Sequence, residues 1–196
     1  MSQIVLDVET KKLFSEIEDR DPAKLGVSYL GIIELPGGNL AGQENYSGFF
    51  EEDLPNLWPT LEMADRLIGF NIIDFDNRAL AVYYPGDLSQ IPVLDILKEV
   101  EKVLSHRLSL DSIARASLGL GKTGSGLLAV DYWRNGQLEE LAKYCRKDVE
   151  ITAQVFDFGL KNGFLKYFDR WNSLREVPVD FSFKPPEAKV QMTLGM

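Results

Sequence analysis

Short apolar runs bounded by turn-forming residues fill the first quarter of the chain. They predict β-strands over residues 3–8, 26–35 and 43–50, and the Pro-Gly-Gly of residues 36–38 marks the turn between the last two. Strands joined by short turns favour an antiparallel meander. Because the first strand is apolar on both sides along most of its length, we expect it to be central and covered on both faces.

Helical and strand patterns alternate through the rest of the chain. We predict strands over residues 66–70 and 92–97, and helices over residues 53–65, 75–83, 98–106, 109–117 and 135–163. Gly163 closes the longest helix, and FLKYF and REVPVDF after it predict a hairpin that turns at Asn172 and Ser173. This order predicts an α/β fold: a mixed five-stranded sheet, its first three strands antiparallel, flanked by helices and followed by a C-terminal hairpin.

The chain of 196 residues is long enough for one well-buried domain and too short for two. We place this domain in residues 1–183 and expect the polar, proline-bearing tail of residues 184–196 to be flexible. No apolar run is long enough to cross a bilayer, and the N-terminus lacks a signal-peptide pattern. The single cysteine, Cys145, fits a reducing compartment. We therefore expect a cytoplasmic protein that does not bind a membrane.

Two acidic residues, Asp7 and Glu9, follow the apolar part of the first strand. Residues two apart on a strand point to the same side, so both acids share a face with Val5. Acids at the end of a central strand are expected at the edge of the sheet, where a crevice can form. The alternative is that they only mark the end of the strand.

A third acid lies within an apolar stripe of the long helix. The stripe advances in alternating steps of three and four residues and consists of Leu141, Tyr144, Asp148, Ile151, Val155 and Phe158. Asp148 is the only charge on it, and buried charges are rare unless they are paired or bind a metal. Tyr144 lies one turn before Asp148, so the two side chains are neighbours. The alternative ion-pair partners, Lys143 and Arg146, lie on other faces of the helix.

The segment GFNIIDFD of residues 69–76 joins a short strand to a helix. It offers two further acids, and either Asp74 or Asp76 can belong to a site. Asp74 can instead cap the helix or occupy its first turn, and Asn71 can bond local backbone and cap the helix. Taken alone, the segment predicts the start of a helix.

Carboxylates drawn together from a strand, a mid-chain helix and a late helix repel one another, and each charge raises the cost of the next. A divalent cation with oxygen ligands is the usual way to stabilise such a cluster. The one histidine, His106, cannot supply a zinc site of the usual kind, and we expect it at the surface. Asp95 either faces the site or is structural, and we expect Cys145 to be a buried, inert thiol.

The net charge of −9 argues against a broad basic surface that grips duplex nucleic acid. A local basic rim near the acidic motifs is compatible with this charge, and solvated surface charge is the alternative for the cations concerned: Lys11, Lys12, Lys122, Arg146 and Lys147. Unpaired bases can stack on aromatic rings, for which the candidates are Phe14, Phe70, Tyr132 and Trp133.

Three short patterns resemble the exonuclease motifs of the DEDD superfamily, the DnaQ-like 3′–5′ exonucleases on a ribonuclease H-like fold. DVET at residues 7–10 resembles the DxET motif, GFNIIDFD at 69–76 resembles GxN…FD, and YCRKD at 144–148 resembles YxxxD. The tyrosine marks the DEDDy branch; the sister branch has His where this chain has Lys143. The amino-acid sequence of the second motif resembles that of the proofreading domains of family B DNA polymerases. The helix-plus-hairpin ending resembles stand-alone bacterial ribonuclease H-like domains.

The resemblance implies two bound ions, Mg²⁺ or Mn²⁺. Asp7 would bridge both ions, Glu9 and Asp148 would complete the first metal site, and Asp76 would hold the second metal largely through water. Tyr144 would orient the attacking water, since a tyrosine with an ordinary pKa of about 10 is a poor general base and a better hydrogen-bond positioner.

Three residues are candidate substrate contacts. The resemblance implies that Thr10 lies near the terminal nucleotide through its backbone, and Asn71 belongs to the second motif. Lys122 lies in LGLGKTGSG, which resembles a Walker A loop but has Ala116 where that motif needs glycine and follows a helical pattern. This loop can still approach a nucleic-acid phosphate through backbone amides and Lys122.

We therefore expect a two-metal 3′–5′ exonuclease that acts on single-stranded DNA or RNA, since no element of the sequence senses the 2′-hydroxyl group. The rival is a catalytically silent ribonuclease H-like module that binds nucleic acid or a partner protein. The ending QMTLGM of residues 191–196 resembles a sliding-clamp-binding peptide, with a disordered tail as the alternative. A helicase or polymerase partner is likewise left open.

Overall fold

The computed structural model describes residues 2–40, 45–120 and 126–184. Its main sheet consists of β1 (Ser2–Thr10), β2 (Val27–Pro36), β3 (Asn45–Phe50), β4 (Arg66–Gly69) and β5 (Val93–Asp95). The strands lie in the order β3-β2-β1-β4-β5, so β1 is central. β1, β2 and β3 pair antiparallel, while β4 and β5 run parallel to β1. The predicted mixed sheet is confirmed.

The helices follow the predicted order with one addition. The α-helices of the described residues are α1 (Trp58–Glu62), α2 (Asp76–Leu80), α3 (Ile96–Leu104), α4 (Leu110–Leu118), α5 (Gly126–Arg134) and α6 (Leu138–Asn162). Short 3₁₀ turns cover Phe14–Glu16, Pro22–Lys24, Glu51–Asn56 and Leu88–Gln90. The predicted C-terminal hairpin is confirmed and consists of β6 (Phe164–Phe168) and β7 (Leu174–Pro178).

Two predicted elements are shorter than expected. The helix predicted over 53–65 is divided into a 3₁₀ turn and α1, because Pro55 and Pro59 cannot donate the backbone hydrogen bonds that a continuous helix needs. The strand predicted over 92–97 ends at Asp95. There the carboxylate accepts hydrogen bonds from the Leu97 and Lys98 amides and starts α3.

Helix α5 was not predicted. Its sequence, GLLAVDYWR, follows a glycine-rich segment and is apolar at most positions, so it has no clear alternation of core-facing and solvent-facing residues. Ala129 and Val130 are buried, whereas Leu127 and Leu128 are exposed. The helix is held by its contacts with α6 and β1 rather than by a local signal.

Side chains of β1 divide the protein into two cores, one on each face of the sheet. Val5 packs in the core that α3, α4, α6 and the hairpin complete. Ile4, Leu6 and Val8 pack in the opposite core with α1 and α2. The expectation that β1 is covered on both faces is confirmed.

The buried face of α6 is wider than the predicted stripe. Of that stripe, Leu141, Ile151 and Val155 are buried, whereas Tyr144, Asp148 and Phe158 are half-buried. The other buried residues of the helix are Cys145, Val149, Thr152, Ala153, Phe156 and Gly159. A helix can settle this deeply because Gly31 of β2 has no side chain. A Cβ atom there would lie 3.0 Å from Val149 Cγ2 and 3.1 Å from Cys145 Sγ. The predicted stripe is therefore confirmed for its apolar residues, which lie in or against the core, while Asp148 is half-buried and lines a cleft at the end of the sheet.

Arg66 ties the segment after the hairpin to the sheet. Its side chain is buried, with only 4% of the residue exposed. Nε donates to Gln3 Oε1 at 2.7 Å, Nη2 donates to the Phe181 carbonyl at 2.9 Å, and Nη1 donates to the Ser182 carbonyl at 3.3 Å. The guanidinium also lies over the rings of Phe156 and Phe183.

The described contacts thus extend through Phe183, the last residue of the predicted domain. The boundaries of that domain stay a prediction. The tail predicted to be flexible and the clamp-like ending lie outside the described residues from position 185 onward. No helix of the described residues is both long and apolar enough to cross a membrane.

Replacing Arg66 by methionine should lower the free energy of unfolding by about 3 kcal/mol, because two buried carbonyls and one amide lose their donor. Urea unfolding followed by circular dichroism measures this change. The matched control is Lys102→Met, which removes an exposed ion pair with Glu99 and should cost less than about 0.5 kcal/mol. Equal stabilities of the two variants would contradict the structural role of Arg66.

Candidate active site

Asp7 and Glu9 lie where β1 extends past its parallel neighbour. β4 pairs with β1 only through Gln3, Ile4 and Val5, so the last residues of β1 have an open edge on that side. Glu9 is 7% exposed, and the pairing with β2 shifts register immediately after it. An irregularity of this kind increases the local twist and re-aims side chains at the end of a strand. The predicted crevice at this edge of the sheet is present.

Asp76 occupies the open edge left by β4. It is the first residue of α2 and is 3% exposed. Its Oδ1 accepts a hydrogen bond of 2.9 Å from the backbone amide of Val8. That amide lies between Asp7 and Glu9 in the chain, so the bond fixes the second motif against the first.

Asp95 holds the turn that leads into α2. Its Oδ1 accepts from the Asn71 amide at 2.9 Å, and its Oδ2 accepts from the Ile73 amide at 3.1 Å. The same carboxylate caps α3. Of the two predicted roles for Asp95, the structural one is correct, and the residue acts by positioning Asp76.

Two expectations for this turn are resolved. Asp74 is not part of the cluster: its carboxylate is half-exposed and pairs with Lys98 at 2.6 Å. Asn71 does not cap the helix, since the capping position is Phe75 and has no side-chain bond. Asn71 adopts a left-handed backbone with φ of 67°, and its Oδ1 accepts a 2.6 Å hydrogen bond from Arg107 Nη2.

Helix α6 brings the third motif to the same place. Tyr144 forms a side-chain hydrogen bond with Asp148, as expected for residues one turn apart. Both side chains line a cleft of about 450 Å³ together with Asp7 and Glu9. The other lining residues are Val8, Thr10, Lys12, Leu13, Phe14, Leu25, Phe75, Leu127 and Val130. Asp76 does not line the cleft but lies against its floor through the bond to Val8.

The carboxylates are electrostatically coupled. Burial raises the pKa of Asp7 well above its ordinary value, and the charges of Glu9, Asp76 and Asp148 raise it further. Burial, Asp148 and Asp76 raise the pKa of Glu9 to about 8. Burial raises the pKa of Asp76 to about 7, although the hydrogen bond from Val8 opposes the shift. A cluster with these pKa values disfavours its own ionised form at neutral pH.

No lysine or arginine in the described part of the chain forms an ion pair with Asp7, Glu9 or Asp76. These carboxylates offer only oxygen atoms, which are the ligands that Mg²⁺, Mn²⁺ and Ca²⁺ prefer. The donor set and the missing counter-charge therefore fit a hard divalent cation.

Cys145 lies closer to the acids than the sequence suggested. Its Sγ and one carboxylate oxygen each of Asp7 and Glu9 lie within 4.8 Å of one another. The thiol donates to the Asp7 carbonyl at 3.6 Å, and burial together with the nearby carboxylates raises its pKa. It is thus a neutral thiol that packs α6 against β1. Its spacing of four residues from both Leu141 and Val149 was the sequence signal that places it on the buried face of the helix.

The candidate substrate contacts have different environments. Thr10 is buried beside the cleft, and its hydroxyl donates to the Lys12 carbonyl at 3.0 Å. Lys122 lies outside the described residues. Of the predicted rim, Lys12 borders the cleft, whereas Lys11 pairs with Glu51. The other two described rim cations lie elsewhere: Arg146 pairs with Glu150, and Lys147 is exposed.

One of the four candidate aromatic platforms borders the cleft. Phe14 lines it and meets Phe75 edge to face at 5.8 Å between ring centroids. Phe70, Tyr132 and Trp133 are partly buried and pack against the core, and a stacking role for them stays a prediction. His106 is exposed, as expected.

Comparisons with known proteins support the fold. No protein-family model matches the chain, and no curated protein matches it. Among solved structures, it is similar to the family B DNA polymerase from the hyperthermophilic archaeon Pyrobaculum calidifontis, with a TM-score of 0.61 and 16% identity over 81% of this chain. The chain spans 24% of that polymerase's length. Together with the sheet order, this likeness confirms the α/β, ribonuclease H-like fold.

The pKa of Glu9 predicts a pH-dependent stability in the absence of divalent cations. The ordinary value is 4.5 and the folded value is about 8, so the folded state binds more protons than the unfolded state between these limits. Stability therefore falls as pH rises through this window. Thermal unfolding in EDTA should show a falling melting temperature, and Mn²⁺ should raise it more near pH 8 than near pH 5.5.

The matched variant for this measurement is Glu9→Gln, which cannot ionise. Its melting temperature in EDTA should fall less steeply with pH than that of the wild type. Glu150→Gln, on the exposed side of α6, should keep the wild-type slope. Parallel curves for all three proteins would contradict the coupling of the acids.

Proposed function

We propose that this chain is a two-metal 3′–5′ exonuclease of the DEDDy type that hydrolyses phosphodiester bonds at the 3′ end of single-stranded nucleic acid. The observation that carries the proposal is the convergence of Asp7, Glu9, Tyr144 and Asp148 on one cleft, with Asp76 bonded to its floor. These residues come from three motifs far apart in the chain. Among the described residues, no lysine or arginine forms an ion pair with Asp7, Glu9 or Asp76 that would explain the arrangement.

The carboxylates would hold the ions in the pattern that the resemblance implies. Asp7 would bridge two Mg²⁺ or Mn²⁺ ions, Glu9 and Asp148 would complete one site, and Asp76 would serve the other. When bound, such a pair of ions lowers the pKa of water and stabilises the leaving oxygen in an in-line displacement. The chain supplies an oxygen-rich, partly desolvated pocket in which these charges act strongly.

Tyr144 would position water rather than accept its proton. Burial and the charges of Asp148, Glu9 and Asp7 raise the pKa of its phenol above the ordinary value, so the hydroxyl keeps its proton at neutral pH. The hydrogen bond with Asp148 restricts its orientation. A protonated, oriented phenol donates or accepts a hydrogen bond without a change of charge.

The shape of the cleft supports a terminal nucleotide as its occupant. Its volume of about 450 Å³ lies in the range of small-ligand pockets. Its lining includes the apolar side chains of Phe14, Phe75 and Leu127, which suit a base, together with the acidic residues, at which metal ions would bind a phosphate. Lys12 at the rim supplies a cation for the next phosphate.

Two independent similarities point to the same class of protein. The sequence of the GFNIIDFD segment resembles that of family B proofreading domains, and the fold is similar to a family B DNA polymerase from Pyrobaculum calidifontis. Because this chain spans only 24% of that polymerase, polymerisation and the polymerase's partners do not carry over. We also propose that the chain acts in the cytoplasm. A sliding clamp, a helicase or a polymerase is its proposed partner.

The rival function is a catalytically silent module that binds nucleic acid or protein. In a silent module, the buried carboxylates of Asp7, Glu9 and Asp76 would only destabilise the fold. Neutral or apolar residues at these positions would make it more stable. The complete set of acids together with Tyr144 favours the enzyme.

Asp148→Asn should lower nuclease activity by about 10²–10⁴-fold, because one ligand charge is lost at the reacting centre. Tyr144→Phe should lower it by only about 10-fold, since a positioning hydrogen bond is lost and the ions are kept. Oligonucleotides labelled at the 5′ end, incubated with Mn²⁺ and separated on gels, measure both effects. The wild type should give a ladder that shortens from the 3′ end.

Glu150→Gln is the control, because this residue is two positions from Asp148 and pairs with Arg146 outside the cleft. It should keep wild-type activity. A wild type that shifts the oligonucleotide band but leaves it intact in Mg²⁺ and Mn²⁺ would select the silent module. Full activity of Asp148→Asn would contradict the proposed site. Running DNA and RNA in parallel identifies the preferred sugar.

A further inference from the structure

The tip of the C-terminal hairpin exposes a tryptophan next to an arginine. Trp171 is 69% exposed, and the guanidinium carbon of Arg170 lies 4.0 Å from the centroid of its ring. Among described residues, no carboxylate pairs with Arg170. Phe168 and Leu174 extend the exposed apolar surface along the two strands. Contiguous exposed apolar patches on a protein surface mark interaction sites.

Hydrogen bonds hold the backbone of the turn that carries Trp171. Asp169 Oδ1 accepts hydrogen bonds of 2.9 Å from the amides of Trp171 and Ser173, and its Oδ2 accepts one of 2.9 Å from Arg175 Nε. The Asn172 amide donates to the Asp169 carbonyl, and Asn172 has a left-handed backbone. These bonds hold the backbone that carries the indole, and the one acid at the tip already pairs with Arg175.

A groove of about 460 Å³ opens beside this turn. Its lining includes the aromatic rings of Tyr167, Phe168 and Trp171, and the cationic or titratable side chains of Arg170 and His106. Asp169 also lines it, with its carboxylate occupied as described. The groove thus combines aromatic faces with positive charge on a protein whose net charge is −9.

A short segment links this groove to the cleft. His106 lines the groove, and the next residue, Arg107, donates to Asn71 Oδ1. Asn71 belongs to the turn that carries Phe75 and Asp76, and Phe75 lines the cleft. Arg107, whose Nε also lies 3.7 Å from Glu101 Oε1, thus connects the segment beside the groove to the turn beside the cleft.

We propose that this groove and the hairpin tip, which we call the hairpin platform, bind unpaired nucleotides upstream of the 3′ end held in the cleft. One base stacks on Trp171, and phosphates contact Arg170 and Arg107. The inference rests on the proposed function, because it takes the strand in the cleft as its ligand. Base stacking on aromatic rings with arginine contacts to the backbone is the usual chemistry of sequence-independent single-strand binding.

Tryptophan and arginine are also frequent at protein–protein interfaces. Two observations favour nucleic acid here. Arg170 beside the indole pairs with no carboxylate among the described residues, and Arg107, next to His106 of the groove, bonds to the turn that carries Phe75 of the cleft. If the platform binds a protein instead, the hairpin variants in the experiment below should leave oligonucleotide binding unchanged.

The test measures the affinity of the full chain for fluorescein-labelled oligonucleotides of 3 to 15 nucleotides, in Ca²⁺ to limit cleavage. Trp171→Ala should weaken binding of the 15-nucleotide strand about 10-fold, with no more than a twofold change for the trinucleotide. Arg170→Ala should lower the slope of log affinity against log salt by about 0.7, as expected for one lost phosphate contact. Trp171→Phe, which keeps a ring, should lose less than Trp171→Ala.

Met63→Ala is the control, since Met63 is 82% exposed and follows α1 on the opposite face of the sheet; it should bind as the wild type does. Unchanged affinity and salt slope in both hairpin variants would overturn the platform and point to a protein partner. Cleavage of the trinucleotide by the wild type tests the exonuclease separately. No cleavage, combined with hairpin-dependent binding, would overturn the exonuclease and keep a nucleic-acid platform.

Discussion

Mutual repulsion of carboxylates held away from water is the constraint on which the rest of this structure depends. Asp7, Glu9 and Asp76 have raised pKa values because burial and neighbouring charges both oppose ionisation. The fold keeps them together through bonds that do not remove the charge. The backbone amide of Val8 holds Asp76, and the phenol of Tyr144 holds Asp148. The remaining negative charge is available to an ion from solution.

Three local features create this arrangement: the short strand β4, the glycine at position 31 of β2, and the carboxylate of Asp95. The pairing of β1 with β4 ends at Val5, two residues before Asp7, which leaves an edge for Asp76. Gly31 lets α6 approach β2 beside the position of Asp7. Asp95 fixes the turn before α2 from the end of the neighbouring strand. Each of these residues acts on the site without touching the cleft.

The sequence was sufficient for the sheet and the order of its helices, because strand and helix periodicities are local properties. It also grouped the acids, since each motif has a recognisable pattern. It did not predict α5, whose mostly apolar sequence has no clear periodicity, or the close approach of Cys145 and Val149 of α6 to the sheet, which depends on the missing side chain of Gly31. The role of Asp95 depends on a turn that is held by distant contacts, and the role of Trp171 depends on the surface exposed around a hairpin. Residue spacing encodes neither of these features.

The most direct test of the account is the number and position of bound ions. Crystals grown with Mn²⁺ and a phosphate-containing nucleotide, measured for anomalous scattering, should show two peaks within ligand distance of Asp7, Glu9, Asp76 and Asp148, about 3.5–4 Å apart. Absence of any peak at these carboxylates under saturating Mn²⁺, or a lysine or arginine side chain folded into their place, would contradict the claim that the cluster exists to bind metal.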